Sequence, residues 1–397
     1  MSSWPRPVWV AGSAMTPFSR RQDGSGIRDW AGEVVAGALE DAGMSIDDID
    51  AVVVASESDF LSLQVSLAAV LVDDLALLPR PVMRVEAGGA TGAMAVRCGV
   101  QQILSGLHDT VLVLGVEHAA SHLPADQVRA IYGLSFDADL EGFTGVTATA
   151  LYALSMQHHM ARYRTTAAQM AAVSVKNHRN ACFNPDAHKP MNITVEDVLG
   201  SPVVSSPYRL LDCSLISDGA AAVILSSRAK MGDSNRPAVR IVGSGCASDA
   251  SRIGERTHVG NFEGKAHAAQ QAYRQAGVKR AEHEVAFAEV YDAYTGAEIQ
   301  AIEALQLGTA GQVAPALAAG AFHPGQPLAV NLSGGLIGQG GPPGATGVAQ
   351  IHTLLRLLQG RYHPQLQQST DRRFALSDAH GGVATVSVVH VLERVDD

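Results

Sequence analysis

The sequence predicts a layered α/β fold assembled from two related halves. Three observations carry this expectation. One succession of strand, helix, strand and glycine-rich passage occurs twice along the chain. The apolar runs lack polar alternation, as strands covered on both faces do. Amphipathic helix patterns separate those runs, which points to helices sandwiching sheets.

Taken in order, PVWVAGSAMTPF near the start reads as a strand entering a turn, and PAVRIVGSGCASD from Pro237 reads the same way, with Gly12 matched to Gly243. Next come AGEVVAGALEDAG and KAHAAQQAYRQAG, amphipathic helices closed by Gly43 and Gly277. Glycine supplies the left-handed residue just past a helix end. Short acidic links and strands follow in SIDDIDAVVVASESD and RAEHEVAFAEVYDAY. Each half then has a glycine-rich strand-to-helix passage, VMRVEAGGATGAMAVRCGVQQILSG or LAVNLSGGLIGQGGPPGATGVAQIHTLL. TVLVLGVEH and TVSVVHVLE are read as matching closing strands. The first half carries an insertion, about residues 119–205, with helical patterns in ATALYALSMQHHMARY and TAAQMAAVSVKNHR. So long an excursion between strands is expected to serve as a lid or binding loop. The linker MGDSNRPA marks the boundary, giving halves 1–233 and 234–397.

The 397 residues are 47% hydrophobic and 17% charged, enough for large cores and unlike a disordered chain. A net charge of −10 with no basic cluster argues against nucleic-acid or membrane-surface binding. Four cysteines, Cys98, Cys182, Cys213 and Cys246, form no CxxC pair, so neither a metal site nor a disulfide framework is expected. With no signal-peptide pattern, a cytoplasmic location is expected.

Four motifs sharpen the reading: KNHRNACFNPDAHKP (176–190), LLDCSLISDGAAAVIL (210–225), EVYDAYTGAEIQAIEALQLG (289–308) and NLSGGLIGQGGPPGATG (331–347). Together, and in this order, they resemble the thiolase superfamily, in its SCP2-thiolase and lipid-transfer-protein-like branch. The resemblance implies the five-layered αβαβα thiolase-like fold, an acyl-CoA substrate without a permanently bound cofactor, and a homodimer.

The reactive positions depart from that family. VEAGGATG places Gly89 where a thiolase of this branch has its nucleophilic cysteine. YDAY places Tyr291 where an HDCF-like motif has histidine, and GGP places Gly341 where GHP has another. DAHGG, with His380, Gly381 and Gly382, stands where many thiolases have a second cysteine. Glycine cannot form an acyl-enzyme, which closes the covalent route at position 89. The backbone N–H groups of Gly89 and Gly382 can still stabilise an oxyanion or enolate.

A pocket that stabilises a thioester enolate without a nucleophile suits retro-aldol cleavage of a β-hydroxyacyl-CoA. Tyr291 is the first candidate for the base that takes the hydroxyl proton, with Asp292, Tyr294 and His380 as relay candidates. The resemblance extends to thiolase-like aldolases of steroid side chains, which lack the cysteine and work with an OB-fold, zinc-ribbon (DUF35-type) subunit. It implies such a partner here. Two other functions compete: a thiolase-like acyltransferase, and a non-catalytic acyl-CoA-binding subunit of a complex. His158 and His159, adjacent on a helix, are read as packing residues.

Overall fold

The computed structural model describes residues 4–21, 23–229 and 236–395. The expected boundary at 233/234, with most of its linker, lies outside the described residues. Among them, four strands come first: β1 (Val8–Met15), β2 (Ala51–Ala55), β3 (Val82–Val85) and β4 (Thr110–His118). A small hairpin of β5 (Val203–Ser205) and β6 (Tyr208–Arg209) precedes β7 (Asp218–Ser226). The second half supplies β8 (Ala238–Ser248), β9 (Val285–Glu289), β10 (Ala329–Val330), β11 (Phe374–Gly381) and β12 (Val386–Val395).

The main sheet runs β10-β9-β11-β12-β8-β1-β7-β4-β2-β3. Cut between β8 and β1, which join through Val8–Ile241 and Trp9–Arg240, it falls into two half-sheets of identical order. This order corrects one sequence match. TVSVVHVLE forms most of β12 and takes the place of β7, while the counterpart of TVLVLGVEH in β4 is β11. Both β4 and β11 run parallel to the second strand of their half, and both β7 and β12 run antiparallel beside them. FALSDAHG in β11 escaped notice because its polar residues break the apolar run by which a covered strand is recognised.

Alternate residues of each half-sheet enter different cores, as the two-residue strand period requires. Val52, Val54, Leu112 and Leu114 meet Trp30, Val34 and Ala38 of the outer helix Ile27–Ala42. Val53, Val111 and Val113 face inward with Ala375 and Leu392 of the other half. Between them lie the helices Thr91–Leu104 and Pro343–Leu358. Leu376, Val389 and Val391 meet Ala268 and Ala272 of the outer helix Glu263–Ala276. Helix, sheet, helix, sheet and helix thus stack as five layers, the thiolase fold.

The matched glycines do the same work in both halves. A Cβ on Gly12 would strike the backbone of Ala38 and Ala42, and one on Gly243 would strike that of Ala272. Only glycine lets these helices lie so close to their strands.

The excursion between β4 and β7 includes the helices Ala125–Tyr132, Ala148–Tyr163 and Ala167–Ala181. Thr147 and Thr166 cap the latter two through their hydroxyls. This excursion carries Tyr132 and Tyr152 to the site. No helix among the described residues is long and apolar enough to cross a membrane.

Candidate active site

Two glycine turns face each other at the ends of β3 and β11. At the first, Gly88 takes φ 56°, and the Thr91 hydroxyl donates to Gly88 O at 2.6 Å while accepting from Ala87 N at 2.9 Å. The turn passes through a short helix, Gly88–Ala90, directly into Thr91–Leu104. The Gly89 N–H therefore lies in a first helical turn, where amides have no intrahelical acceptor. At the second turn Gly382 has φ 59°. A Cβ on Gly381 would collide with Ala87 O, so the turns touch backbone to backbone.

Beneath them lies Tyr291. A Cβ on Gly89 would run into the Tyr291 hydroxyl, and would come within 2.6 Å of His380 O. The other position is tight rather than closed: a Cβ on Gly341 would lie 3.2 Å from the Leu336 side chain. Ala90, Ala93, Leu336, Ala379 and Val388 surround Tyr291 with apolar surface. Burial, reinforced by the charges of Glu57 and Asp292, pushes the Tyr291 phenol far above its ordinary value. It stays protonated and so has a proton to offer rather than a charge.

His380 is fully buried within a chain of polar groups. Lys265 forms an ion pair with Asp378 and donates to His380 Nδ1 at 2.9 Å. The ring proton then belongs on Nε2, 2.6 Å from Tyr152 Oη, whose own proton goes to Gly382 O at 2.6 Å. Burial, with the positive charges of Lys265 and Arg256, holds His380 well below the usual imidazole range. The neutral ring orients the Gly382 turn and cannot readily take up a second proton.

The other two sequence candidates are engaged elsewhere. Asp292 accepts from Leu336 N at 2.6 Å, Ile337 N at 3.3 Å and Asn177 Nδ2 at 2.7 Å, anchoring the segment that carries Leu336. Tyr294 bonds Thr149 Oγ1 at 2.8 Å and stacks on Tyr208, with ring centroids 4.9 Å apart. The structure thus gathers Gly89, Tyr291, His380 and Gly382, and leaves Asp292 and Tyr294 as supports behind them. His159 bonds Glu303 at 2.9 Å within the loop packing.

Sequence reasoning missed the acidic side of the site. A cavity of about 590 Å³ opens at the two glycine turns, lined among others by Glu57, Gly88, Tyr132, Phe136, Gly382 and Thr385. Glu57 follows the end of β2, and its carboxyl lies beside the Tyr132 hydroxyl, with Oε1 3.9 Å from a Cβ placed on Gly88. Burial, then the charges of Glu117 and Glu86, raise its pKa to about 8. Burial also raises Glu117 to about 7, although it accepts from Glu57 N at 2.6 Å and Gly344 N at 3.2 Å. The available signal was a carboxylate just past the C-terminal end of a parallel strand, where α/β folds place ligands. Lys265 and Tyr152 were missed too.

None of the four cysteines stands at either glycine turn. Burial raises the thiols of Cys98 and Cys246 above their ordinary value and takes Cys213 to about 12. A catalytic cysteine needs the opposite shift. Cys182 is exposed beyond the end of helix Ala167–Ala181. Cys246 lies within β8, rather than at a turn, and packs on the apolar group around Tyr291.

Comparison with known proteins agrees with the architecture. Residues 8–229 match the family "Thiolase, N-terminal domain" and residues 245–394 match "Thiolase C-terminal domain-like". The chain is 36% identical to an acetyl-CoA acetyltransferase of Methanothermobacter thermautotrophicus, covering 98% of this chain and 100% of that protein. It is 28% identical to the 17-hydroxy-3-oxo-4-pregnene-20-carboxyl-CoA lyase of Mycobacterium tuberculosis, over 86% of this chain and 89% of the other. Among solved structures, the Ltp2-ChsH2(DUF35) aldolase superposes with a TM-score of 0.83 at 25% identity, covering 99% of each chain.

Proposed function

The chain belongs to the thiolase superfamily, on its SCP2-thiolase-like branch, and on that premise we propose that it is a retro-aldolase cleaving a β-hydroxyacyl-CoA without a covalent intermediate. The observation that carries this reading is the Tyr291 hydroxyl standing in the space of a nucleophile's Cβ. A protonated phenol and the Gly89 amide together offer donors to substrate oxygens, which is what a developing enolate needs. The lyase and aldolase relatives support the same chemistry.

Incubation with a β-hydroxyacyl-CoA tests the proposal. The expected products are a ketone or aldehyde and the shortened acyl-CoA. Failure to cleave any β-hydroxyacyl-CoA, alone or with a partner, would remove it. The aldolase neighbour's name joins two components, and it supports an OB-fold, zinc-ribbon (DUF35-type) partner for this chain as well. Co-purification from the native host tests that part.

The acyltransferase reading is favoured by the 36% identical relative that bears that name. It requires an acyl-enzyme, whereas the three half-buried thiols are all shifted away from the reactive thiolate. The non-catalytic alternative predicts acyl-CoA binding without turnover.

A further inference from the structure

We propose that Glu57 is the acid–base residue that carries the proton in this reaction, taking it from the substrate's β-hydroxyl and returning it to Cα. The assignment rests on the retro-aldolase reading above and extends it.

The geometry supplies the first argument. Glu57 is held by its own backbone, since its N–H donates to Glu117 Oε2 at 2.6 Å, and the residue lines the cavity. One of its oxygens, Oε2, is buried and has no hydrogen-bond partner. An unpartnered buried carboxyl oxygen is costly unless something uses it. The carboxyl's other oxygen, Oε1, comes within 3.9 Å of a Cβ placed on Gly88, at the turn that presents the Gly89 amide.

Elimination supplies the second. Tyr291 holds its proton too tightly to be a base. His380 accepts from Lys265 on one nitrogen and is bonded to Tyr152 on the other. Asp292 is occupied by two amides and Asn177, and Tyr294 by Thr149. Glu57 lines the cavity and, with the Tyr132 hydroxyl bonding its carboxyl, still keeps Oε2 as an unpartnered acceptor.

The groups around Glu57 suit it to move a proton both ways. Glu117 approaches from β4, Glu86 from the segment after β3, Tyr132 from helix Ala125–Tyr132, and Tyr291 from the segment after β9. Arg84 on β3 is directed to Ser56 O and Asp59. This arrangement brings Glu57 to about 8, near neutral pH, where one group serves as both base and acid.

The step balances. The Glu57 carboxylate accepts the β-hydroxyl proton as the β-carbon becomes a carbonyl. The Cα–Cβ bond breaks and its electron pair passes into the thioester as an enolate. The proton on Glu57 then moves to Cα, giving the shortened acyl-CoA.

The test uses the full chain, with any partner it requires, and 3-hydroxy-3-phenylbutanoyl-CoA as probe, with release of acetophenone and acetyl-CoA as the readout. Glu57→Gln should lose ~10²–10⁴-fold in kcat while its circular dichroism stays unchanged. Glu57→Asp should recover part of that loss. In parallel, acetyl-CoA in deuterium oxide reads enolisation alone, through exchange at its methyl group. Loss of exchange in Glu57→Gln supports the assignment even where the probe is not cleaved and the retro-aldolase reading fails. Cleavage with an undiminished Glu57→Gln overturns the assignment and leaves that reading standing. Wild-type protein that neither cleaves nor exchanges overturns both.

Discussion

The Tyr291 hydroxyl and the Gly89 Cα share one small space: a single methyl group added to Gly89 would overlap the phenol oxygen. The absence of a side chain at 89 and the presence of a large one at 291 are therefore a single structural fact. The tyrosine occupies the volume that a side chain at 89 would need.

Gly89→Ala should accordingly destabilise the protein by about 1–3 kcal/mol through overpacking. The penalty should shrink when Tyr291→Ala is also present, and it should not vanish, because His380 O remains close. Chemical denaturation of the two single variants and the double variant measures this coupling. Strictly additive effects would show that the two residues do not compete for space.

Tyr291→Phe keeps the ring and removes the donor. The expected result is a fall in kcat of roughly 10²-fold with little change in KM, as for loss of one oxyanion donor. Steady-state kinetics on the β-hydroxyacyl-CoA decide it, and an unchanged kcat would take Tyr291 out of the mechanism.

Glu57 predicts the pH profile of cleavage. Because burial and like charges raise it to about 8, the ionised base is the minority form at neutral pH. kcat/KM should rise with pH and level off above about 8. Glu117→Gln removes a neighbouring negative charge, so the limb should move to lower pH. A limb that stays in place would show that Glu117 does not act on the titrating group.

Buried His352 predicts an acid sensitivity unrelated to catalysis. Burial, with the charges of Arg356 and Arg361, depresses its pKa to about 3. The unfolded chain takes up this proton near 6.5. The neutral ring therefore contributes stability above about 6.5 that is lost as pH falls toward about 3. His352→Gln should flatten the stability curve across that window by about one proton. Urea unfolding at several pH values measures the slope, and an unaltered slope would contradict the assignment.

Much of the fold was legible because duplication repeats physical constraints along with residues. Gly12 and Gly243 match because both lie under a helix, and Gly43 and Gly277 match because both close one in the left-handed region. The site was legible where motifs marked it, at Gly89, Tyr291, His380 and Gly382. It was hidden where its parts come from distant elements. Lys265 reads in KAHAAQQAYRQAG as an ordinary helix lysine, and only the folded chain shows it sealed against Asp378 and His380. Tyr152 reads as one apolar residue of a loop helix until β11 brings His380 to it. Glu57 sits in an acidic stretch, SESD, whose composition suggests a solvated turn. Its burial depends on Glu117 and helix Ala125–Tyr132 closing over it.

The most direct test is intact-protein mass spectrometry during turnover of a β-hydroxyacyl-CoA, with ketone and acyl-CoA products quantified in the same reaction. Products accumulating while the polypeptide keeps its unmodified mass is the predicted result. An acyl group trapped on one of the four cysteines, formed and discharged at the rate of turnover, would contradict the account.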